Sequence, residues 1–487
     1  MPRSPGMKKQ EASLSLLVAA GVGIANLAIT AVMWFPPLLY QRDLISEYLL
    51  AKALLAGINP YQPLPVIAGI FGVQLPAGKF PHPTPHPPVV AVLVSPLGLF
   101  SYQQATIGWW VIEVIGVYAI VRLVNSRLKI KLSPGNQFLL TLALFAWIPL
   151  MDELLIGQLM ILVALLLLLA WGWLSEGREA YAGMALGLAL CVKMMGWPIL
   201  IFLILRRRWI AVTATLLIII GGNLIALGVI GSGPLVYYYT QVGNQVAKVW
   251  RTDGGNFSLY GLIWRWLGDR GTSWRGELVA KPFLTAPELA APLAFILPAA
   301  VVAVGIWLAA KARSFDTAFA VLVIISLPVS PVAWSFYLIP AVVPIVIAGF
   351  RLWQGNEERG ISAGTARIGI AAFILLCFPQ TSILMHLPST LPLITTLGAS
   401  WVGLRPLLAL ILLTWLVLRL DQKAEGPTPV RFNAPLVGQL LVMIVLPFFI
   451  FNLLDHPLIG VMAIACVGCV IWRQWPRLQS QYEGATL

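Results

Sequence analysis

Apolar stretches long enough to cross a bilayer recur from residue 14 to residue 473, and short clusters of lysine and arginine separate them. A hydrocarbon core about 30 Å thick takes roughly 20 helical residues, so this pattern predicts a polytopic membrane protein. It excludes a water-soluble fold. A β-barrel would show short alternating segments instead. Only 10% of the residues are charged, against about 25% in soluble domains. The net charge of +13 belongs to cytoplasmic loops that set orientation, so no nucleic-acid partner is expected. Cys191, Cys377, Cys466 and Cys469 all lie in apolar runs and read as small buried hydrophobes.

Basic clusters set the topology. Arg3, Lys8 and Lys9 hold the N-terminus inside, and a retained first helix over 14–34 leads to an exterior segment, 35–102, with short juxtamembrane helices. Reading 88–100 as an interfacial or re-entrant piece and 103–124 as the next span returns Arg122, Arg127, Lys129 and Lys131 to the cytoplasm. Spans over 136–151 and 155–175 follow. The stretch 180–206 is interrupted by Gly196-Trp197-Pro198 and reads as two short helices meeting outside at Lys193. A span over 209–231 opens onto a long exterior loop, 232–285. Spans near 287–310, 316–330, 335–351, 366–384, 404–420, 434–453 and 456–473 complete an all-α bundle of about 12–14 helices. Both termini are expected in the cytoplasm. Residues 1–350 form the polar-lined module and 351–487 a set of C-terminal helices.

With this parity the unusual polar residues gather on the exterior side. Asp43 and Glu47 stand four apart, one face of a helix, in a chain with only 19 acidic residues. Lys52, His82 and His86 share their loop. Asp152, Glu153 and Gln158 follow, then Lys193, then Lys248, Arg251, Asn256, Tyr260 and Arg265, and finally Ser330-Pro331 with Trp334. Carboxylates kept where a bilayer meets water are costly and serve binding, proton transfer or catalysis. A carboxylate that takes a hydroxyl proton, beside cations that steady a phosphate, suits transfer from a phosphate leaving group.

Each residue also has a plainer role. Asp43 can cap its helix, Glu47 can lie on a solvated face, and Asp152 and Glu153 can end a span. The prolines around His82 and His86 can simply stiffen a loop. Arg251 and Arg265 can be loop charges and Asn256 a turn residue. Trp250, Trp264, Trp266 and Trp274 fit interfacial anchoring better than sugar stacking.

In order and spacing, several motifs resemble the polyprenol-phosphate-dependent glycosyltransferases of C-type fold, in particular glycosyltransferase family 87. They are Asp43, Gly57-Ile58-Asn59-Pro60-Tyr61, His86-Pro87-Pro88, Ser95-Pro96-Leu97, Gly157-Gln158, Gly183, Gly187, Lys193, Arg206-Arg207-Arg208-Trp209, Asn256-Phe257-Ser258-Leu259 and Ser330-Pro331 with Trp334. The resemblance implies hexose transfer, with mannose the first choice, from a polyprenyl-phosphate donor to a lipid or glycan acceptor. This would take place on the exterior face of a prokaryotic cell membrane, with Asp43 as general base. Glu47, Asp152, Glu153 and Gln158 would support the site or bind acceptor. Lys193, His82, His86, Arg251 and Arg265 would hold the donor phosphate, and Asn256 and Trp334 would line the cavity.

The chain has no Walker-type loop and no aspartate-x-aspartate pair, so a lipid-linked donor and no metal or other cofactor are expected. Related sequences tend to carry histidine after Ser-Pro-x-x-Trp, where this chain has Ser335-Phe336-Tyr337. That leaves His82, His86 or Lys193 to meet the phosphate. The competing functions are a transporter or flippase of a lipid-linked sugar, and a non-catalytic binder of one.

Overall fold

The structure is a computed structural model that describes residues 5–76, 80–274, 277–355, 363–377 and 391–421. The expected spans at 434–453 and 456–473, with Cys466 and Cys469, lie outside the described residues, as do Lys79 and residues 378–384. The chain is an all-α polytopic membrane protein. Five described helices are long and apolar enough to cross a bilayer: Tyr102–Arg127, Trp209–Ile230, Pro287–Lys311, Ser335–Leu352 and Pro392–Asp421. A sixth would be the pair Pro134–Leu144 and Ile148–Ile156, bent by 77° at its break.

Other apolar helices are shorter, among them Pro88–Leu99, Met160–Ser175, Glu179–Val192 and Phe315–Ser326, whereas the first helix, Pro5–Val32, runs for 28 residues. At about 1.5 Å per residue, a helix of about 12 to 16 residues covers about 18–24 Å, short of a hydrocarbon core about 30 Å thick. Such half-length helices leave backbone ends that side chains must satisfy. This is the physical origin of the site described below.

Proline and glycine decide the breaks. Pro149 starts the second limb of the bent pair, and Gly157 ends it with φ +71. Lys193 leaves the helical region at φ −147, ψ 129, and Pro198 opens the next helix, Trp197–Leu205. Where Glu179–Val192 crosses Trp209–Ile230, glycine allows close approach. A Cβ on Gly183 would lie 2.2 Å from the Ala211 carbonyl oxygen, and one on Gly187 would lie 2.8 Å from that of Thr215. Small residues at such crossings bring backbones together without help from the hydrophobic effect. Thr215 Oγ1 uses the closeness to donate to Gly183 O at 3.0 Å.

Two expectations change. The segment 232–285, expected as a long loop, is a built unit, with helices Ser232–Tyr237, Gly243–Trp250 and Leu259–Leu267 and a hairpin, Thr272–Trp274 with Glu277–Ala280. The span expected at 404–420 begins earlier, in the 30-residue helix Pro392–Asp421. That helix packs on Phe315–Ser326 and Val342–Gly355.

Charge separates the two ends of the bundle. At one end Arg127 meets Glu176 at 3.2 Å, Arg208 meets Glu179 at 2.7 Å and Arg351 meets Asp421 at 3.4 Å. Asp316 there accepts from Trp171 Nε1 at 2.8 Å. Helices running from these residues deliver Gln158, Lys193 and Trp334 to the other end, where Asp43 meets Gln158.

Candidate functional site

The helix Leu44–Leu55 follows a short 3-10 turn, Leu38–Gln41. Asp43 occupies its N-cap position, yet its side chain makes no capping bond. Instead Asp43 Oδ2 accepts from Gln158 Nε2 at 3.4 Å. Gln158 Oε1 in turn accepts from Lys193 Nζ at 3.1 Å. Lys193 Nζ also donates to the Tyr337 hydroxyl at 3.1 Å and lies 4.2 Å from the centre of that ring. A carboxylate and an ammonium are thus joined through one amide, drawn from three separate breaks in the bundle. Asp43 and Tyr337 are half-buried, while Gln158 and Lys193 are buried.

The Gly157-Gln158 step places the amide. Gly157 takes a left-handed conformation that a side chain would strain. A Cβ there would also lie 2.9 Å from Arg42 Nη2 and 3.0 Å from Leu44 Cβ. Arg42 is fully buried, and its guanidinium finds no hydrogen-bond acceptor among the described residues. Burial lowers its pKa, opposed by Glu113, Tyr102 and Asp43.

Glu47 does not lie on a solvated face. Its helix is covered by Leu64–Ile70, Pro88–Val94 and the 3-10 turn Ser95–Leu99, and Glu47 is completely buried with Oε1 2.9 Å from His86 Nδ1. The Gly57–Tyr61 motif holds that histidine. Asn59 Oδ1 accepts from Tyr61 N at 3.0 Å, and Tyr61 Oη donates to His86 O at 3.0 Å. Asp43 and Glu47 share a helix but serve different partners.

Asp152 and Glu153 also divide. They sit in the second limb of the bent pair rather than at the end of a straight span. Asp152 accepts from Ser335 Oγ. Glu153 is buried, and its Oε1 accepts from the backbone N–H of Met160 at 2.5 Å and of Ile161 at 3.2 Å. It caps the positive end of the short helix Met160–Ser175.

His82 is fully engaged. Its Nε2 accepts from Trp250 Nε1 at 2.8 Å, and its Nδ1 stands 2.7 Å from Pro83 O, which makes Nδ1 the protonated nitrogen. Burial pushes its pKa down, so neither ring nitrogen is open to a phosphate. Trp250 then meets Trp334 edge-on at 5.6 Å, which puts both indoles in the site wall rather than in an interfacial belt.

Two expected phosphate or cavity residues carry architecture. Asn256 Nδ2 donates to Trp250 O at 3.1 Å and Pro331 O at 3.3 Å, and its Oδ1 accepts from Ser258 N and Ala333 N, each at 3.0 Å. This joins the Asn256–Leu259 motif to Ser330-Pro331. Arg265 is buried and donates to the carbonyls of Asp253, at 2.8 Å, and Asn256, so it braces the loop from within. Burial lowers its pKa to about 10 and raises that of Asp253 to about 6. Arg251 is half-buried, paired with the exposed Asp269 at 2.9 Å and stacked 4.0 Å from the Trp264 ring centre.

Sequence reasoning missed Tyr337, Trp250 as a wall residue, Arg42 and Glu113. Glu113 had a signal: it is the one acid inside the span expected at 103–124, and such residues are rare without a role. It is buried, with Glu153, Arg42 and Glu47 as charged neighbours.

Residues 85–331, just over half of the chain, match glycosyltransferase family 87. The chain belongs to that family. The match contains His86, Asp152, Glu153, Gln158, Lys193, Arg251, Asn256 and Arg265, while Asp43, Glu47, His82 and Trp334 lie outside it. An alpha-(1->3)-arabinofuranosyltransferase of Mycobacterium tuberculosis is 27% identical over 169 residues, 33% of this chain and 38% of that protein. From the same organism, a polyprenol-phosphate-mannose-dependent alpha-(1-2)-phosphatidylinositol pentamannoside mannosyltransferase is 28% identical over 274 residues, 55% of this chain and 58% of that protein. The match therefore spans less than two thirds of either relative. No solved structure matches the chain.

Proposed function

We propose that this family 87 member is an integral-membrane glycosyltransferase that moves a hexose, mannose by preference, from a polyprenyl-phosphate donor to a hydroxyl of a lipid or glycan acceptor. The observation that carries it is the chain Asp43–Gln158–Lys193, which sets a base and a cation on either side of one amide. Asp43 takes the acceptor proton as the acceptor oxygen attacks the sugar C1. The C1–O bond to the phosphate breaks, and its electron pair leaves on the polyprenyl phosphate, whose charge Lys193 steadies. Membership of family 87 and the printed names of the two mycobacterial relatives support the reaction class and the donor type. The clustering of bridged basic residues at the opposite end supports an exterior site under the positive-inside bias.

A second function, moving a lipid-linked sugar across the bilayer, is favoured by Glu113. It lies 11 residues beyond Tyr102, about 16 Å along a spanning helix and so close to the bilayer midplane. Charges at that depth mark permeation pathways in many transporters.

One experiment separates the two. The full-length protein is placed in vesicles with radiolabelled polyprenyl-phosphate mannose and an acceptor lipid extract, beside Asp43→Asn. The expected result is a labelled acceptor with wild type and at least about a hundredfold slower labelling with the variant. Label that only crosses the bilayer, or equal labelling by both proteins, rejects the transferase assignment.

A further inference from the structure

We propose that Tyr337 is a positioning residue that aims the Lys193 ammonium at the donor phosphate and thereby sets donor affinity; this rests on the polyprenyl-phosphate donor proposed above. A lysine ammonium has three donors on a stem of four rotatable carbons, so by itself it occupies many rotamers. Here two of the three are assigned to different parts of the fold. Gln158 Oε1 takes one at 3.1 Å and Tyr337 Oη the other at 3.1 Å. The aromatic faces of Tyr337 and Phe336, 4.2 and 5.4 Å from Nζ, fix its approach from one side. One N–H remains for a ligand.

The segment that carries Tyr337 is itself anchored. It begins a 3-10 turn, Ser335–Ala341, in which Tyr337 N donates to Trp334 O at 2.9 Å. Two residues earlier, Ser335 Oγ donates to Asp152 on the bent pair. The same turn therefore clamps side chains from two other elements. Tyr337 is half-buried while Lys193 is buried. A phosphate held by Lys193 comes within reach of the Tyr337 hydroxyl, 3.1 Å from the ammonium, which can turn from acceptor to donor and add its own bond.

The test measures binding and turnover separately on the full-length protein in phosphatidylcholine vesicles. Binding uses polyprenyl phosphate without sugar, read by quenching of tryptophan fluorescence, and turnover uses the sugar-loaded donor. Losing one hydrogen bond to a charged group, Tyr337→Phe is expected to raise the Kd for polyprenyl phosphate and the donor KM by about tenfold, with kcat within about threefold. Tyr337→His, which restores a ring nitrogen acceptor, is expected to recover most of that loss. Lys193→Met is expected to weaken binding by more than Tyr337→Phe does. In its background Tyr337→Phe should change little, because the two residues act as one unit.

An unchanged Kd in Tyr337→Phe overturns the proposal, as does full additivity with Lys193→Met. So does a loss confined to kcat and melting temperature. A wild type that binds polyprenyl phosphate but transfers no sugar removes the transferase assignment and leaves the Kd comparison standing. A wild type that does not bind it removes the proposal as well.

Discussion

Gln158 reaches Asp43 across 115 positions of sequence, with its amide nitrogen 3.4 Å from the aspartate oxygen, and turns its own oxygen to Lys193. Gln158→Leu keeps the volume and removes both bonds. Each bond has a charged partner worth about 1.5–3 kcal/mol, so the rate of sugar transfer should fall by about 10- to 100-fold. Initial rates at saturating donor check this, with melting temperature as the control for folding. An unaltered rate would assign Gln158 to the scaffold alone.

Gly157 is the hinge of that arrangement. With φ +71 and Arg42 Nη2 at 2.9 Å from the position of an added Cβ, Gly157→Ala is strained twice. A loss of about 1–3 kcal/mol is expected, together with slower transfer because Gln158 moves with the turn. Chemical denaturation in detergent micelles reads the first effect and the transfer assay the second.

Glu153 tests whether a buried acid here serves chemistry or architecture. It caps two backbone N–H groups at the start of Met160–Ser175. Glu153→Ala strands both donors and should cost about 1–2 kcal/mol of stability. Glu153→Gln retains an acceptor and should transfer sugar at close to the wild-type rate. A Glu153→Gln variant that is stable but inactive would move this residue into the catalytic machinery.

Asp253 gives the site wall a pH dependence. Its pKa is raised by burial to about 6, with the Gly255 N–H and Arg265 opposing. A raised folded-state value means that stability is fully present below the ordinary value near 3.8 and is lost as pH rises through about 6. Asp253→Asn keeps an acceptor for Gly255 N and does not ionise. The two proteins should melt together near pH 4. By pH 8 the wild type should be less stable by up to about 3 kcal/mol. Melting curves across this range check the sign; a gap that widens toward acid would refute it.

Much of the frame was legible before any coordinates. The interruption at Gly196-Trp197-Pro198 predicts two short helices meeting at Lys193, and they form, as Glu179–Val192 and Trp197–Leu205. The parity of basic clusters predicts a charged end opposite a polar end, and the ion pairs of Arg127, Arg208 and Arg351 occupy one of them. The bend between Leu144 and Ile148 was not legible, because an apolar run without internal glycine or proline before Pro149 reads as one span.

The roles of single polar residues were harder to see. Asn256, Arg265 and His82 have the chemistry of a binding site, and their composition cannot say whether a ligand or the backbone takes their hydrogen bonds. In the fold the backbone and an indole take them. Tyr337 stood out only as part of the Ser335-Phe336-Tyr337 departure, and its role is seen only when a lysine from 144 positions away reaches it.

By itself, then, the sequence determined what depends on local chemistry and on transfer to lipid. It settled the helical class and the break before Pro198, because hydropathy and proline act over a few residues at a time. Only the tertiary structure decided that Asp43 pairs through Gln158 with Lys193, and that Glu47 turns away to His86. Those choices depend on where half-length helices end in space, and hydrogen bonds of about 3 Å are formed or missed by small shifts in packing.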